Sequence, residues 1–311
     1  MALSTGAVLV GVDGSPEAAR AATIGEAIAA EATTPCQLIH AVAFVRPPGS
    51  IAGVLGTDEL GDRTMSTARA RVIQGLTGAV GPATLGRLMV APGRAAVVLK
   101  RAARDLKATL IVLGGKHHTR FERWIAGSTA IDVVRTTDLP VLVAAKPGPS
   151  PARILAAVDM SAAAAAPTIA MAERAADFFG AELKVLSVLE PLPVLPDVPN
   201  YDLGAYYAML EDHLTRDIWP LVRRTGTRKV TRYGMPVEEI RREALEWDAS
   251  LVVIGSHGKD WVDRVLIGSV TEHLLNELPT SLLVVPIHGR MPEETLHRPE
   301  SPALASAGHP G

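Results

Sequence analysis

The feature that most constrains the fold of this chain is an internal repeat, in which four segments of the first half recur in the second half. The matching pairs are residues 7–15 with 153–161, 36–42 with 183–189, 109–129 with 250–270, and 140–146 with 281–287. In the first pair AVLVGVDGS becomes RILAAVDMS, so both copies keep an apolar run that ends in Val-Asp-x-Ser. The period of about 140 residues indicates duplication of a whole domain, because solenoid repeats are much shorter.

Apolar runs alternate with helix-like segments through each copy. Such alternation predicts an α/β fold in which right-handed crossovers make the sheet parallel. We therefore expect two domains, residues 1–146 and 152–288, each an open five-stranded, mostly parallel sheet flanked by helices. The turn-rich segment PGPSP at residues 147–151 is expected to link them, and residues 289–311 are expected to form a disordered tail.

Composition argues against several classes of protein. With 48% hydrophobic and 21% charged residues, the chain has the make-up of soluble globular domains. Its net charge of −2 gives no basis for binding nucleic acid or an acidic membrane surface. We find no signal peptide and no apolar run long enough to span a membrane, so we expect a cytoplasmic protein. The single cysteine, Cys36, excludes an internal disulfide and is expected to be a buried, unreactive thiol.

A glycine-rich segment of the second copy, GSHGKDWVDRVLIGS at residues 255–269, indicates anion binding. It follows the apolar strand LVVIG, and a helical run begins at Ser269. Glycine lets backbone amides approach an anion closely, and a helix start presents free N–H groups and a positive dipole end. The segment matches neither the Walker loop nor the dinucleotide fingerprint. It therefore predicts a phosphate site of another type.

The spacing of this segment resembles the nucleotide loop of the universal stress protein family, G-x-x-G-(nine residues)-G-[ST], with Gly255, Gly258, Gly268 and Ser269 at the fixed positions. The resemblance extends over both copies and implies two Rossmann-like domains of the adenine-nucleotide alpha-hydrolase type. It also implies that the chain binds ATP, with or without Mg²⁺. By this resemblance the nucleotide contacts of the second copy are Ala157, Val158, Asp159, Val188, Ile254, Gly255, Gly258, Gly268, Ser269, Val270 and Thr271.

The residue types suit these roles. Asp159 would accept hydrogen bonds from ribose hydroxyls, and Val188 and Ile254 would flank the purine. Ser269-Val-Thr-Glu272 is also a capping box by sequence, so Ser269 has an alternative role that requires no ligand. Lys259 either belongs to a solvated loop face or reaches a phosphate.

The first copy departs from the pattern. By the same resemblance its candidate contacts are Asp13, Ala41, Gly114, Gly127 and Ser128, but His117 stands at the second glycine position. A histidine adds a Cβ and a ring where the backbone should approach phosphate. We therefore expect the first copy to bind nucleotide more weakly than the second copy, or not at all.

Histidines of the first copy raise a separate question about metal binding. His40, His117 and His118 are expected near the same strand ends, and neutral imidazole is a zinc ligand. Their spacing matches no established metal pattern, so we favour a site without metal. The other histidines, His213 among them, are expected to be solitary.

The favoured function is an ATP-binding stress-response or signalling protein with little or no turnover. We assign no catalytic residue, because phosphoryl transfer needs a metal-holding acid, a water-positioning group and a cationic clamp. A slow ATP hydrolase or phosphotransferase and a scaffold without nucleotide are the alternatives. The last strands, residues 140–146 and 281–287, are apolar edges, so we expect the copies to pair through them as an internal pseudo-dimer, compatible with a further homodimer.

Overall fold

A computed structural model describes residues 6–43, 57–118, 123–125, 127–146, 148, 150–191, 202–256, 267–277 and 279–287 of the chain. Its strands are β1 (Val8–Gly11), β2 (Cys36–Val42), β3 (Met89–Pro92), β4 (Leu110–Gly114), β5 (Lys116–His118), β6 (Arg123–Ile125), β7 (Val141–Ala144), β8 (Arg153–Val158), β9 (Glu182–Leu189), β10 (Arg228–Tyr233), β11 (Leu251–Gly255) and β12 (Ser281–Val285). The α-helices are α1 (Pro16–Glu31), α2 (Thr57–Leu76), α3 (Pro82–Gly86), α4 (Ala95–Asp105), α5 (Gly127–Thr136), α6 (Ala162–Phe179), α7 (Leu203–His213), α8 (Pro236–Glu246) and α9 (Ser269–Asn276). A π-helical turn, Leu214–Ile218, and a 3-10 turn, Trp219–Leu221, follow α7. Gly258 and the proposed tail, residues 289–311, lie outside the described residues.

Ten strands form one sheet in the order β10-β9-β8-β11-β12-β7-β4-β1-β2-β3. Each half contributes five parallel strands in the same internal order, with its first strand between its second and fourth. The predicted α/β class, with two Rossmann-like halves, is therefore confirmed. The apolar run LVVIG of β11 is buried along its whole length, as expected for a strand covered on both faces.

Helices cover both faces of the sheet and define two cores. Successive strand residues point to opposite faces, so Val8 and Val10 lie in one core and Leu9 in the other. The first core includes apolar residues of α1, α2 and α6, and the second includes those of α4, α5, α8 and α9. Cys36 lies in the first core, and burial raises the pKa of its thiol to about 12.

The two halves meet through their last strands. β7 and β12 pair antiparallel, with Leu142 opposite Leu283. The Ser281 hydroxyl accepts hydrogen bonds from the backbone N–H groups of Ala145 (3.1 Å) and Lys146 (3.3 Å). α5 and β6 of the first half pack against α9 of the second half. The junction is therefore both a strand pairing and a contact between the helices that follow the two glycine loops.

The glycine-loop region of the first copy contains a feature that the repeat does not predict. β5 and β6 form a two-stranded antiparallel ribbon, in which His117 is the register partner of Trp124. Residues 116–118 and 123–125 are therefore not an open loop, because their backbone groups pair with each other.

Candidate functional site

The candidate site of the second copy lies where the strand order reverses. β8 and β11 are parallel neighbours, with Ala157 opposite Ile254, while the connections from them lead to opposite sides of the sheet. Asp159 follows β8 and Ser256 follows β11. The carboxyl ends of such strands border the crevice in which open α/β sheets bind ligands.

Asp159 is half-buried at the rim of this crevice. It lies in the loop from β8 to α6 and helps to fix the conformation of that loop. Its Oδ1 accepts a hydrogen bond from the backbone N–H of Ser161 (2.7 Å). Among the residues that the structure describes, none donates to Oδ2. One oxygen therefore fixes the local turn, and the other remains available to a hydroxyl group of a ligand.

Apolar side chains line one side of the crevice. Ala157 and Ile254 are 5% and 7% exposed, and both belong to the core on the α8–α9 face of the sheet. Val188 and Val270 are partly buried against that same core. Val158 belongs to the opposite core, so its side chain does not join this wall. The structure thus brings four of the predicted apolar contacts to one face, where they could border a planar ring.

The start of α9 is fixed to the end of β11 by two hydrogen bonds. The buried Thr271 hydroxyl donates to the Gly255 carbonyl (2.7 Å), and the Gly268 N–H donates to the Ser256 carbonyl (2.9 Å). Gly268 is the N-cap residue, and within the described part of the chain no side chain caps the helix. Because the first N–H groups of a helix have no partner within it, those of residues 269–271 are directed out of a helix end that is held in place.

The capping-box prediction for Ser269 and Glu272 is wrong. Ser269 is exposed and is the first helical residue rather than the N-cap, so its hydroxyl does not cap α9. Glu272 instead pairs with Arg135 of α5 (2.9 Å). The sequence pattern was misleading because the partner of Glu272 comes from the other half of the chain.

The first copy has a related crevice between β1 and β4. Oδ1 of the exposed Asp13 accepts a hydrogen bond from the Ser15 N–H (3.0 Å), as Asp159 does from Ser161. Gly114 ends β4 so close to α1 that a Cβ there would lie 2.6 Å from the Glu17 carbonyl oxygen. Gly127 begins α5, with Ser128 exposed in its first turn, and Ala41 is partly buried on β2.

His40 has a partner that explains its position. Its Nδ1 lies 2.7 Å from the carbonyl oxygen of Val12, at the end of β1. The described part of the chain contains no group of three or more His, Cys, Asp or Glu side chains that could hold a metal ion. The structure describes only the backbone of His117 and His118, in β5, so the statement about metal-binding groups does not cover their side chains.

His213 is not solitary, contrary to the sequence-based expectation. Its Nε2 lies 2.8 Å from the Met160 carbonyl oxygen, and its Nδ1 lies 2.7 Å from an Asp217 carboxylate oxygen. Met160 directly follows Asp159. The spacing of His213 and Asp217, four residues apart on a helical segment, was the available sequence signal, but the contact with Met160 depends on tertiary structure.

Comparison with known proteins gives a consistent result. A sequence profile described as the universal stress protein family matches residues 5–145 and 152–286. A universal stress protein of Mycobacterium tuberculosis (strain H37Rv) is 27% identical over 293 residues, which covers 89% of this chain and 95% of the relative. A universal stress protein of Mycobacterium bovis is 26% identical over 289 residues, covering 89% and 96%.

Solved structures show the same fold at low sequence identity. A universal stress protein from Archaeoglobus fulgidus is 17% identical and has a TM-score of 0.59, with 91% of this chain and 99% of that chain covered. A putative universal stress protein from Pseudomonas aeruginosa is 18% identical with the same TM-score of 0.59, covering 91% and 94%. In the described residues, no helix has both the length and the apolar character needed to cross a membrane.

Proposed function

This chain belongs to the universal stress protein family, and on that premise we propose that it is an ATP-binding stress-response or signalling protein of the cytoplasm. The nucleotide is held chiefly in the second copy, with little or no turnover. The observation that carries the proposal is the uncapped start of α9, which the Thr271–Gly255 hydrogen bond holds at the end of β11. A fixed set of free N–H groups favours the phosphates of a nucleotide.

The neighbouring residues fit the remaining parts of ATP. The free Oδ2 of Asp159 is suited to a ribose hydroxyl, because a carboxylate is an acceptor with capacity for several hydrogen bonds. Ala157, Val188 and Ile254 form the apolar wall for adenine. The amides near Gly268 and Ser269 receive phosphate oxygens, together with the glycine positions 255 and 258 that the family resemblance implies.

We propose that the first copy is the weaker site. Asp13 accepts from the Ser15 N–H as Asp159 does from the Ser161 N–H, but the ribbon β5–β6 pairs backbone that would otherwise approach phosphate. The paired backbone groups of residues 116–118 are engaged with residues 123–125. A hydrogen-bonded ribbon offers fewer free amides than a glycine loop, so its affinity for phosphate should be lower.

We also propose that the two halves act as an internal pseudo-dimer, in which the β7–β12 pairing gives each apolar last strand a neighbour. This arrangement leaves β3 and β10 as the outer edges of the sheet. A further homodimer would have to form through a surface other than the paired strands β7 and β12.

The experiment is calorimetric titration of the full chain with ATP. We expect close to one nucleotide per chain and loss of binding in Gly268→Leu, because the side chain would block approach to the α9 amides. Gly86→Leu is the matched control, since a Cβ at Gly86 at the end of α3 meets nothing within 4 Å. Unchanged affinity in Gly268→Leu would contradict the proposal.

Turnover is measured separately as phosphate release under saturating ATP with magnesium. Preorganised charge at the γ-phosphate usually supplies most of the rate enhancement in phosphate release. We expect negligible release, because Asp159 is assigned to the ribose and not to the γ-phosphate. A rate near that of ordinary enzymes, on the order of 1 per second or more, that disappears in Gly268→Leu would support the hydrolase alternative instead.

A further inference from the structure

A charged contact between the two halves lies beside the proposed phosphate site. Arg135 is in the last turn of α5, in the first half, and Glu272 is in the first turn of α9, in the second half. The Nη2 of Arg135 lies 2.9 Å from the Oε1 of Glu272, so the two form a hydrogen-bonded ion pair. An arginine of one copy is therefore placed next to the helix start that is proposed to hold phosphates in the other copy.

Apolar packing holds the two helices that carry this pair. Val133 and Val134 of α5 are buried, as are Leu274 and Leu275 of α9, and all four belong to the same core. The strand β6 of the first half also packs against α9. An exposed ion pair contributes little to stability by itself. Here the shared core keeps both partners in place, so the pair does not depend on its own weak attraction.

Without a partner, the Glu272 carboxylate would oppose a phosphate at this helix end. The Glu272 N–H donates to the Gly268 carbonyl (2.9 Å), so Glu272 completes the first turn and lies about 6 Å along the helix axis from Gly268. The Cα–Cβ bonds of a helix tilt towards its N-terminus, which carries this side chain towards the free N–H groups. Charges at such a separation act on each other within the Debye length, about 8 Å at physiological salt. An unpaired Glu272 would therefore lower the affinity of the helix start for phosphate.

We propose that Arg135 of the first half is a positioning residue for the phosphate site of the second half: it holds the Glu272 carboxylate in an ion pair and cancels its charge, so that the start of α9 favours a nucleotide with phosphates over a nucleoside. The inference rests on the proposed function, since it concerns the same site. Arg135 acts through Glu272 and not by contact with the nucleotide.

The neighbouring acidic side chains of the two helices have other partners. Asp132 of α5 lies 3.7 Å from Arg94, and Glu277 at the end of α9 lies 2.7 Å from Arg241. Within the described part of the chain, Glu272 pairs with no cation except the arginine of the first half. Removal of that arginine therefore leaves the carboxylate at the start of α9 without a compensating charge.

The repeat contains this arrangement in one direction only. Ile131 stands in the first copy at the position of Glu272, and Asn276 stands in the second copy at the position of Arg135. The first turn of α5 thus has no acidic residue, and α9 offers no cation at the matching position. The charge contribution runs from the first half to the second half, which is the half with the full glycine pattern.

The test compares the affinities of the full chain for ATP and for adenosine, measured by calorimetry at low ionic strength. We expect Arg135→Gln to weaken ATP binding about two- to fivefold, the effect of one charge near an exposed helix end, and to leave adenosine binding unchanged. Glu272→Gln should strengthen ATP binding by a similar factor, and the double variant should bind ATP at least as well as wild type. Both changes should shrink at about 1 M salt, where the Debye length is about 3 Å.

Two variants separate the effect of charge from that of structure. Arg135→Lys keeps the positive charge and should keep most of the ATP affinity. Arg241→Gln is the matched control, because it breaks an Arg–Glu pair of similar exposure on the same helix. Its partner Glu277 lies five residues beyond Glu272, about 7.5 Å further from the start of α9. ATP affinity in Arg241→Gln should therefore stay close to that of wild type.

The outcomes distinguish this inference from the proposed function. If wild type binds neither ATP nor adenosine, the proposed function fails and this inference fails with it. If wild type binds ATP and Arg135→Gln binds it equally well, only the role of Arg135 is overturned. Equal losses for ATP and adenosine would mean a purely structural role. A double variant that binds ATP as weakly as Arg135→Gln would mean that Arg135 contacts phosphate directly, and either result would also overturn the inference.

Discussion

Two neighbouring hydroxyl groups at the start of α9 have different surroundings. The Thr271 hydroxyl is buried and bonded to the Gly255 carbonyl, whereas Ser269 is exposed and caps nothing. The buried one connects the helix to the strand, and the exposed one lies at the surface of the first helical turn. Their chemistry is similar, so burial and hydrogen bonding decide which is structural.

Substitution of these two residues should separate stability from binding. Thr271→Val keeps the shape but leaves the buried Gly255 carbonyl without this donor, so we expect a loss of about 1–3 kcal/mol in the free energy of unfolding. Ser269→Ala should change stability by less than about 0.5 kcal/mol, the usual range for exposed positions. Urea unfolding measures both. A larger loss in Ser269→Ala would indicate that Ser269 caps the helix after all.

A buried charge network ties α8 to the edge of the second half. Lys184 of β9 pairs with Glu243 of α8, and Arg232 of β10 donates to the same carboxylate at 2.6 Å. Lys184 and Glu243 are 8% and 4% exposed, and the Lys184 Nζ lies 4.4 Å from the centre of the Trp247 ring. Burial alone would raise the pKa of Glu243, but hydrogen bonds and charge from Lys184 and Arg232 outweigh it and lower the pKa.

This network should matter more than the exposed pair on the same strands. Lys184→Ala leaves a buried carboxylate with one cation fewer, and we expect a loss of about 3 kcal/mol in the free energy of unfolding. Arg228→Ala removes the partner of Glu182 (3.4 Å), where both side chains are well exposed, and should cost less than about 1 kcal/mol. Equal losses in the two variants would contradict this account.

The same network gives a direction for the effect of acid. Because the pKa of Glu243 is lowered in the folded state, its contribution to stability is present above the unfolded pKa, about 4.3 for Glu, and is lost as pH falls through the folded pKa. In urea unfolding at pH 7 and pH 4, Glu243→Gln should therefore lose less stability on acidification than wild type.

The repeated elements could be predicted from sequence, because apolar runs and the Val-Asp-x-Ser endings depend on local pattern. The mostly parallel sheet followed from general rules on crossovers, but its strand order was not predicted. Features set by contacts between distant segments could not be predicted. Glu272 pairs with Arg135, 137 residues away, instead of capping α9, and His213 reaches Met160 across 53 residues. Asp159 and Gly268, which the family resemblance implied, lie after β8 and at the N-cap of α9, and their role in binding stays a prediction.

The junction of the two halves combines a buried contact with an exposed one. Ser281 accepts from the N–H groups of Ala145, which is 0% exposed, and Lys146. The Arg135–Glu272 pair is 37% and 40% exposed. Removing a hydrogen-bond partner lowers the free energy of unfolding more at a buried polar group than at an exposed one, since water cannot take the partner's place.

Variants of the junction should follow that difference. Ser281→Ala leaves the buried Ala145 N–H without this acceptor, and we expect a loss of about 1–3 kcal/mol in the free energy of unfolding. Arg135→Gln should cost less than about 1 kcal/mol, as for other exposed pairs. Both values come from urea titration of the full chain. A greater loss for Arg135→Gln would mean that the helix contact, not the strand pairing, dominates the junction.

The antiparallel pairing of β7 with β12 joins strands that belong to one polypeptide. The effective concentration of one half near the other is therefore set by the connecting segment and does not change when the protein is diluted. Two separate chains with the same interface would come apart at low abundance, and both would carry the same loops by symmetry. A single chain avoids both constraints. One half can therefore lose or change its ligand and still stay paired with the other half at any copy number in the cell.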